Sequence, residues 1–460
     1  MKLNEWIGDR AFYRGLFALS APLVLQQLIT ASIQIVDNVM VGQLGETAIG
    51  AVGVVNQLFF VVIISSFGVM SGSTIYMAQY FGAKNENKLQ QSFHFTLVAA
   101  LFVGIVSFLL FTYADDALIG VFTQSPETIA LAKDYISIIR FGLFAFAISI
   151  AISSSLRVVG ITKPILWISV VTIVLNTVLN AILIFGLLGF PAMGAVGAAI
   201  ATLIARIAEA ALSLWYLMRR QSILRLDVAK LFAIEWTLAK AIVIIGLPLL
   251  LNEFLWSLGQ TTYLFAYSTR GDGALAAMNV TNTISQITFV MFQAIGAAAA
   301  VFVGNKLGEN ALEEAQLNSK RLILIATVLA IGVGILQFVI SFFVLDIYSV
   351  SEATKLAAQF NIRVNSLFVP LYTMNVTMFF IIRSGGDTIS TFLMDSGFMW
   401  VIAVPVALGL AFFTALPITI MFLLIQGTEL LKVAFAYHRF SQKRWVKNLA
   451  NTPDVVTLSL

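Results

Sequence analysis

The chain has 460 residues, 59% of them hydrophobic and 11% charged, against roughly a quarter charged in an ordinary soluble domain, which excludes a water-soluble fold. It has no cysteine and two histidines, His94 and His438, which removes thiolate catalysis, disulfide scaffolds and nearly every structural zinc site. The net charge is +4, and in so apolar a chain that excess concerns membrane orientation, with no nucleic-acid partner expected.

Apolar runs bounded by Gly, Pro or charge predict an all-α integral membrane protein with twelve transmembrane helices. The first six cover roughly 15–41, 48–78, 91–112, 128–155, 164–188 and 193–218. The second six cover roughly 239–268, 275–304, 319–345, 353–382, 388–411 and 415–437. Ahead of them, Glu5, Trp6, Asp9 and Arg10 read as an interfacial cytosolic helix and not as a cleavable signal peptide. Most of the 27 Lys and Arg fall in the amino terminus, the even-to-odd loops and the tail, while only Lys133, Arg270 and Lys355 lie opposite. The positive-inside rule then puts both termini in the cytoplasm of a cell inner membrane. The tail after Trp445 is polar and is expected to be loosely ordered.

The chain also matches itself at a constant offset. Pro248 lies 226 residues after Pro22, and the same offset pairs Gly45 with Gly271, Asn56 with Asn282, Gly82 with Gly308, Arg157 with Arg383 and Gly160 with Gly386. A six-span repeat enters the membrane twice in the same sense, so it predicts two six-helix lobes related by a parallel axis. The expected division is a first lobe over 1–218, a cytoplasmic linker over 219–238 able to tolerate lobe motion, a second lobe over 239–440 and a cytoplasmic tail over 441–460.

Ionisable residues inside spans mark function unless they are paired. Arg206 with Glu209, and Glu429 with Lys432, are three apart and read as structural pairs on one helix face. Asp37 has no basic residue at three or four positions either way, so its partners must come from elsewhere. Thr172, Asn176 and Asn180 recur every four residues and form one polar stripe on the fifth helix. Asn180 lies eight residues from Leu188, Thr202 eight from Gly194 and Asp37 five from Gly42, so all sit roughly 8–12 Å below the outer surface at about 1.5 Å per residue. Asp37, Asn176, Asn180 and Thr202 can therefore share a pocket for a proton, and Asp37, Asn176 and Asn180 one for sodium. The other reading is a structural hydrogen-bond network.

Glu253 lies near the middle of the seventh helix; its repeat mate is Gln27, while Tyr263 stands opposite Asp37. The halves have thus diverged chemically. Trp256, Tyr263 and Tyr372 surround the expected depth of Glu253 with aromatic area, suited to apolar cations. Glu253, Tyr263, Asn282, Tyr372, Asn375 and Asp395 form the candidate substrate or second proton site, the alternative for Glu253 being a hydrogen bond to Asn282 or Asn375.

The segments APLVLQQLITASIQIVDNVMVGQLGETAIGAVGVVNQ, LRVVGITKP, IIRSGGDT and NTVLNAILIFG resemble the multidrug and toxic compound extrusion (MATE) transporters, and the likeness covers essentially all twelve helices. It implies a secondary exporter of drugs, often organic cations, in exchange for protons or sodium by alternating access, with membrane lipid around it and no cofactor beyond the coupling ion. The family's acid on the first helix matches Asp37, and in its DinF-like branch the partners on helices five and six match Asn176, Asn180 and Thr202. Some relatives carry a second acid where this chain has Asn180. The helix-seven acid of NorM-like members matches Glu253, whereas their helix-ten acid is replaced by the region of Tyr372 and Asn375, leaving Asp395 on helix eleven as a substitute. A lipid-linked saccharide flippase of the same superfamily is the alternative function. No HExxH, GxSxG or comparable constellation occurs, so an enzyme is not expected.

Overall fold

The computed structural model describes residues 8–219, 223–347 and 351–451, without the side chains of 31–35, 38, 287, 346 and 347. Glu5, Trp6, Arg220 and the tail beyond 451 lie outside the described residues. The helices run in the order α1 (Arg10–Gly42), α2 (Glu46–Gly82), α3 (Glu86–Tyr113), α4 (Asp115–Gly120), α5 (Pro126–Ile139), α6 (Gly142–Val158), α7 (Lys163–Phe185) and α8 (Gly194–Arg219). They continue as α9 (Trp236–Ser268), α10 (Asp272–Gly308), α11 (Leu312–Ile340), α12 (Glu352–Ser384), α13 (Thr388–Phe392), α14 (Val404–Phe413) and α15 (Ile418–Ser441). Between α13 and α14 the backbone is π-helical over Leu393–Gly397 and Met399–Ala403.

Among the described residues ten helical stretches are long and apolar enough to cross a membrane, Thr388–Phe413 counting as one, and the bent pair α5–α6 supplies an eleventh. With 33 residues, α1 exceeds the roughly 20 that a span needs. The fourth span, expected as one helix over 128–155, is instead broken, α5 meeting α6 at 55°. The break falls just before Gly142, a weak helix former, where the Arg140 guanidinium turns onto the rings of Phe108 and Phe141 at 5.9 and 5.3 Å.

The repeat is written into the backbone. Left-handed φ recurs at the 226-residue offset in Gly45 and Gly271 (97° and 88°), Lys84 and Asn310 (55° and 62°), and Gly160 and Gly386 (80° and 79°). The same offset relates two N-caps: Ser125 accepts from the Thr128 amide at 3.4 Å, and Ser351 from the Thr354 amide at 3.3 Å. Each satisfies one of the donors that a helix start leaves free.

Two compact units result, Ala21–Gly246 on one side and Met1–Ser20 with Leu247–Leu460 on the other. The chain passes from unit to unit inside α1 and inside α9, each time two residues before Pro22 or Pro248. The first unit, Ala21–Gly246, includes the opening turns of α9, where Gly72 of α2 lets the backbones meet: a Cβ there would lie 2.3 Å from the Ile242 carbonyl. The second unit includes the opening turns of α1, where Phe12 packs edge-on against Phe302 at 5.3 Å and under the Arg321 guanidinium at 5.7 Å. This division differs from the one drawn from loop polarity, because apolar packing of these helix ends, and not the position of the polar connection, decides where a unit stops.

The described part of the linker belongs to the first unit. Gln90 of α3 bonds both the carbonyl and, at 3.0 Å, the amide of Arg225; Gln91 accepts from the Glu235 amide at 3.0 Å; and Lys88 pairs with the Glu235 carboxylate. The tail is ordered as far as it is described, contrary to the expectation from its polarity. Trp445 is buried and stacks on Phe440 at 5.4 Å, its indole N–H donating to the Phe440 carbonyl at 3.0 Å. Asn448 donates to the Gly308 carbonyl at 3.2 Å. Gly385 accommodates this crossing, since a Cβ there would fall 1.7 Å from the Trp445 carbonyl oxygen. Arg270, on the turn between α9 and α10, donates to the carbonyls of Leu410, Ala411, Thr414 and Leu416, closing the end of α14.

Candidate functional site

Each unit carries a polar cluster between apolar helices. In the first, the stripe on α7 faces α1 and α8. The Asn180 amide donates to Asp37 Oδ1 at 2.9 Å and to Asn176 Oδ1 at 3.3 Å, and the Asn176 amide reaches Thr202 Oγ1 at 3.4 Å. All four residues predicted to share a pocket are therefore joined in one chain of contacts. Tyr135 of α5 extends it, hydrogen-bonding Thr202 and lying within electrostatic range of Asp37 and Arg206. Sequence reasoning missed Tyr135; its only signal was a phenol within the fourth span, directly after Lys133 and Asp134. Arg206 is held by Glu209 at 3.0 Å and sits over the Phe146 ring at 5.2 Å, as its spacing predicted. Among the described residues Asp37 has no ion pair, and the Asn180 Oδ1 is buried without a hydrogen-bond partner. The cluster thus holds one carboxylate, neutral oxygens and an open acceptor.

In the second unit the predicted residues divide. Glu253 faces Arg383 at 4.0 Å, a base placed at the loop end by sequence and missed as a partner. The asparagines proposed as its alternative partners lie otherwise: Asn282 is exposed on α10, and Asn375 is buried with its Oδ1 unpartnered. Asp395 sits on the first π-helical turn, a deformation frequent where a side chain is aimed for function. Its Oδ1 lies 2.9 Å from Lys432 Nζ and its Oδ2 accepts from Asn252 at 3.1 Å. Lys432 also keeps the expected same-helix neighbour Glu429, at 4.0 Å, but the contact across helices is the shorter. Tyr263 lies within electrostatic range of Lys432, Glu429 and Asp395, and Tyr372 within range of Glu429 while hydrogen-bonding Gln426.

The offset could have found the second cluster. Asn252 and Asp395 are the repeat mates of Gln26 and Ser169, and in the first unit Gln26 donates to Ser169 at 2.7 Å. One helix contact is used twice, between neutral groups in one unit and from an amide to a carboxylate in the other. At their own helix ends the clusters also differ in depth. Asp37 is five residues from the end of α1 at Gly42, whereas Lys432 is nine from the end of α15 at Ser441.

Comparison with known proteins points to one family. The MatE family model matches residues 22–182 and again 248–409, the two matches beginning at the two prolines. The probable multidrug resistance protein YoeA of Bacillus subtilis is 26% identical, with 88% of each chain covered. The probable multidrug resistance protein NorM of Bradyrhizobium diazoefficiens is 28% identical, with 86% of each covered. Among solved structures, a MATE in complex with MaL6 superposes with a TM-score of 0.85 at 21% identity, covering 95% of this chain and 98% of that one. An outward-facing multidrug resistance MATE family transporter of the MOP superfamily gives 0.84 at 20% identity, covering 96% and 98%. At such identities the superpositions establish the fold.

Proposed function

Because the chain belongs to the MatE family, we propose that it is a secondary active multidrug exporter, moving organic and often cationic compounds out across the membrane in exchange for protons or sodium. The names of its relatives as multidrug resistance proteins support this reading, and coupling is assigned to Asp37. One observation carries that assignment: Asp37 is an intramembrane acid whose hydrogen-bond partner is a neutral amide, so its charge is free to be balanced by an exchangeable cation. As an anion it accepts from the Asn180 N–H; once protonated it can donate to the amide oxygen, which has no partner at present. Sodium would use the Asp37 carboxylate with the Asn176, Asn180 and Thr202 oxygens, a hard-ligand set with a single formal charge. Glu253, with Tyr263 and Tyr372 in the same unit, is assigned to a cationic substrate or a second proton. Both termini are placed in the cytoplasm.

Reconstitution tests the reading. Proteoliposomes loaded with a cationic dye should export it under an imposed proton or sodium gradient, and Asp37→Asn should abolish the gradient dependence. Export by Asp37→Asn at the wild-type rate, or translocation of labelled lipid-linked sugar without dye transport, overturns it. Reporter fusions after Arg220 and Arg444 should both behave as cytosolic.

A further inference from the structure

The first unit leaves its acid without a base; the second surrounds its acids with fixed cations. Asp395 is fully engaged, with Lys432 Nζ on Oδ1 at 2.9 Å and the Asn252 amide on Oδ2 at 3.1 Å. Asn252 is itself locked, because its Oδ1 accepts from the Ser396 amide at 3.2 Å and its carbonyl from the Ser396 hydroxyl at 2.7 Å. Glu429, one turn before Lys432, brings Oε1 to 4.0 Å from Nζ, while its Oε2 is buried without a hydrogen-bond partner. Among the described residues the other charged or titratable groups facing this cage are Tyr263 of α9, Tyr372 of α12 and, beside them, the Glu253–Arg383 pair. An ammonium fixed between two carboxylates offsets one of their two charges, as a bound monovalent ion would, and it cannot leave.

The repeat shows that this charge is an addition and not a packing requirement. The equivalent helix contact, Gln26 to Ser169 at 2.7 Å, forms without any ion. The repeat mate of Lys432 is Arg206, which turns to Glu209 on its own helix. Where the second unit acquired an acid at 395, it holds a base against it.

We propose that Lys432 is a tethered cation that fills the Asp395–Glu429 cage and withholds it from sodium, so that Lys432 determines which ion site the chain does not have. The proposal deepens the coupling reading above by confining sodium exchange to the first unit, but the state of the cage can be tested apart from Asp37.

The test is equilibrium binding of radioactive sodium to purified full-length protein at pH 8, where protons compete little. Lys432→Met keeps the stem and removes the charge, and should bind one more sodium per chain than wild type. Lys432→Arg should gain none, Lys432→Met with Asp395→Asn should lose the gain, and Lys432→Met with Asp37→Asn should keep it. That last variant separates failure of this proposal from failure of the Asp37 assignment. A Lys432→Met protein that elutes as the wild type does and binds no additional sodium overturns the proposal. Should Lys432→Met not fold, Asp37→Asn alone decides: residual sodium binding that Asp395→Asn then removes overturns the tethered-cation role, and its absence supports it.

Discussion

Where α1 of the first unit presents Asp37, α9 of the second presents Tyr263; where α7 presents Ser169, the π-helical turn after α13 presents Asp395. The two units share turn conformations, N-caps and one interhelical contact, yet differ in every acid their interiors hold. The polar stripe of α7 is erased in the second unit, Asn176 and Asn180 being matched by Ile402 and Val406. The backbone therefore constrains spacing and not chemistry. A helix bundle accepts an acid at a buried position when it supplies either neutral oxygens, as around Asp37, or a countercharge, as around Asp395. The first arrangement leaves charge to be exchanged, and the second consumes it.

The comparison breaks most sharply at Asp37. Asp37→Asn should lower gradient-driven dye export by about tenfold or more, at least ~1.4 kcal/mol of coupling, whereas Tyr263→Phe at the repeat-related position should leave the gradient dependence intact. Initial rates in proteoliposomes under imposed proton and sodium gradients measure both. Equal losses would show that the units are not functionally divided.

Next in size is the contact used twice. Removing one partner of a buried ion pair strands the other, so Asp395→Ala should destabilise by about 3 kcal/mol, the low end for such pairs because a fifth of the Asp395 side chain is exposed. Ser169→Ala removes a neutral hydrogen bond and should cost about 1 kcal/mol. Thermal unfolding of the purified variants gives the order, and neutralising Asp395 and Lys432 together should recover most of the first loss.

A third difference lies at Gly385, whose repeat mate is Val159. Gly385→Ala puts a methyl on the Trp445 carbonyl and should free the tail, forfeiting about 2 kcal/mol of aromatic burial. Limited proteolysis should then cut within 441–451. Val159→Ala should not alter cleavage there.

The smallest effect concerns the linker clamp. The hydrogen bond from Lys88 holds the Glu235 carboxyl below its usual range. A lowered pKa in the folded state means that the contribution is full above the ordinary carboxylate value of about 4.3 and is lost as pH falls through the lower folded value. Amide exchange at Glu235, whose N–H is held by Gln91, should be slow at pH 6 and faster near pH 3 after correction for intrinsic rates. The Arg225 amide, bonded to neutral Gln90, should change less.

Much of this organisation was legible in the sequence. Hydrophobic length and the 226-residue offset gave the helices and the duplication, because spanning a membrane imposes one period and one length on every segment. The first cluster was legible for a related reason: Thr172, Asn176 and Asn180 lie on one helix, where periodicity alone sets the shared face. The second was read incompletely. Lys432 was assigned to Glu429, three residues away, since sequence spacing displays contacts within a helix, and Asp395 and Asn252 stand on other helices.

By itself, then, the sequence determined what depends on local periodicity and covalent continuity: the all-helical membrane class, the two-fold repeat, the stripe on α7 and the isolation of Asp37 from bases on its own helix. The tertiary structure alone decided what depends on contacts between distant segments. These are the break at Arg140, the anchoring of Trp445 over Gly385, the transfer of the first turns of α1 and α9 between units, and the seating of Lys432 on Asp395. Their common cause is physical. A charge or ring buried among helices takes its energy from whichever group packing brings within a few ångströms, and packing is a property of the assembled bundle and not of any one segment.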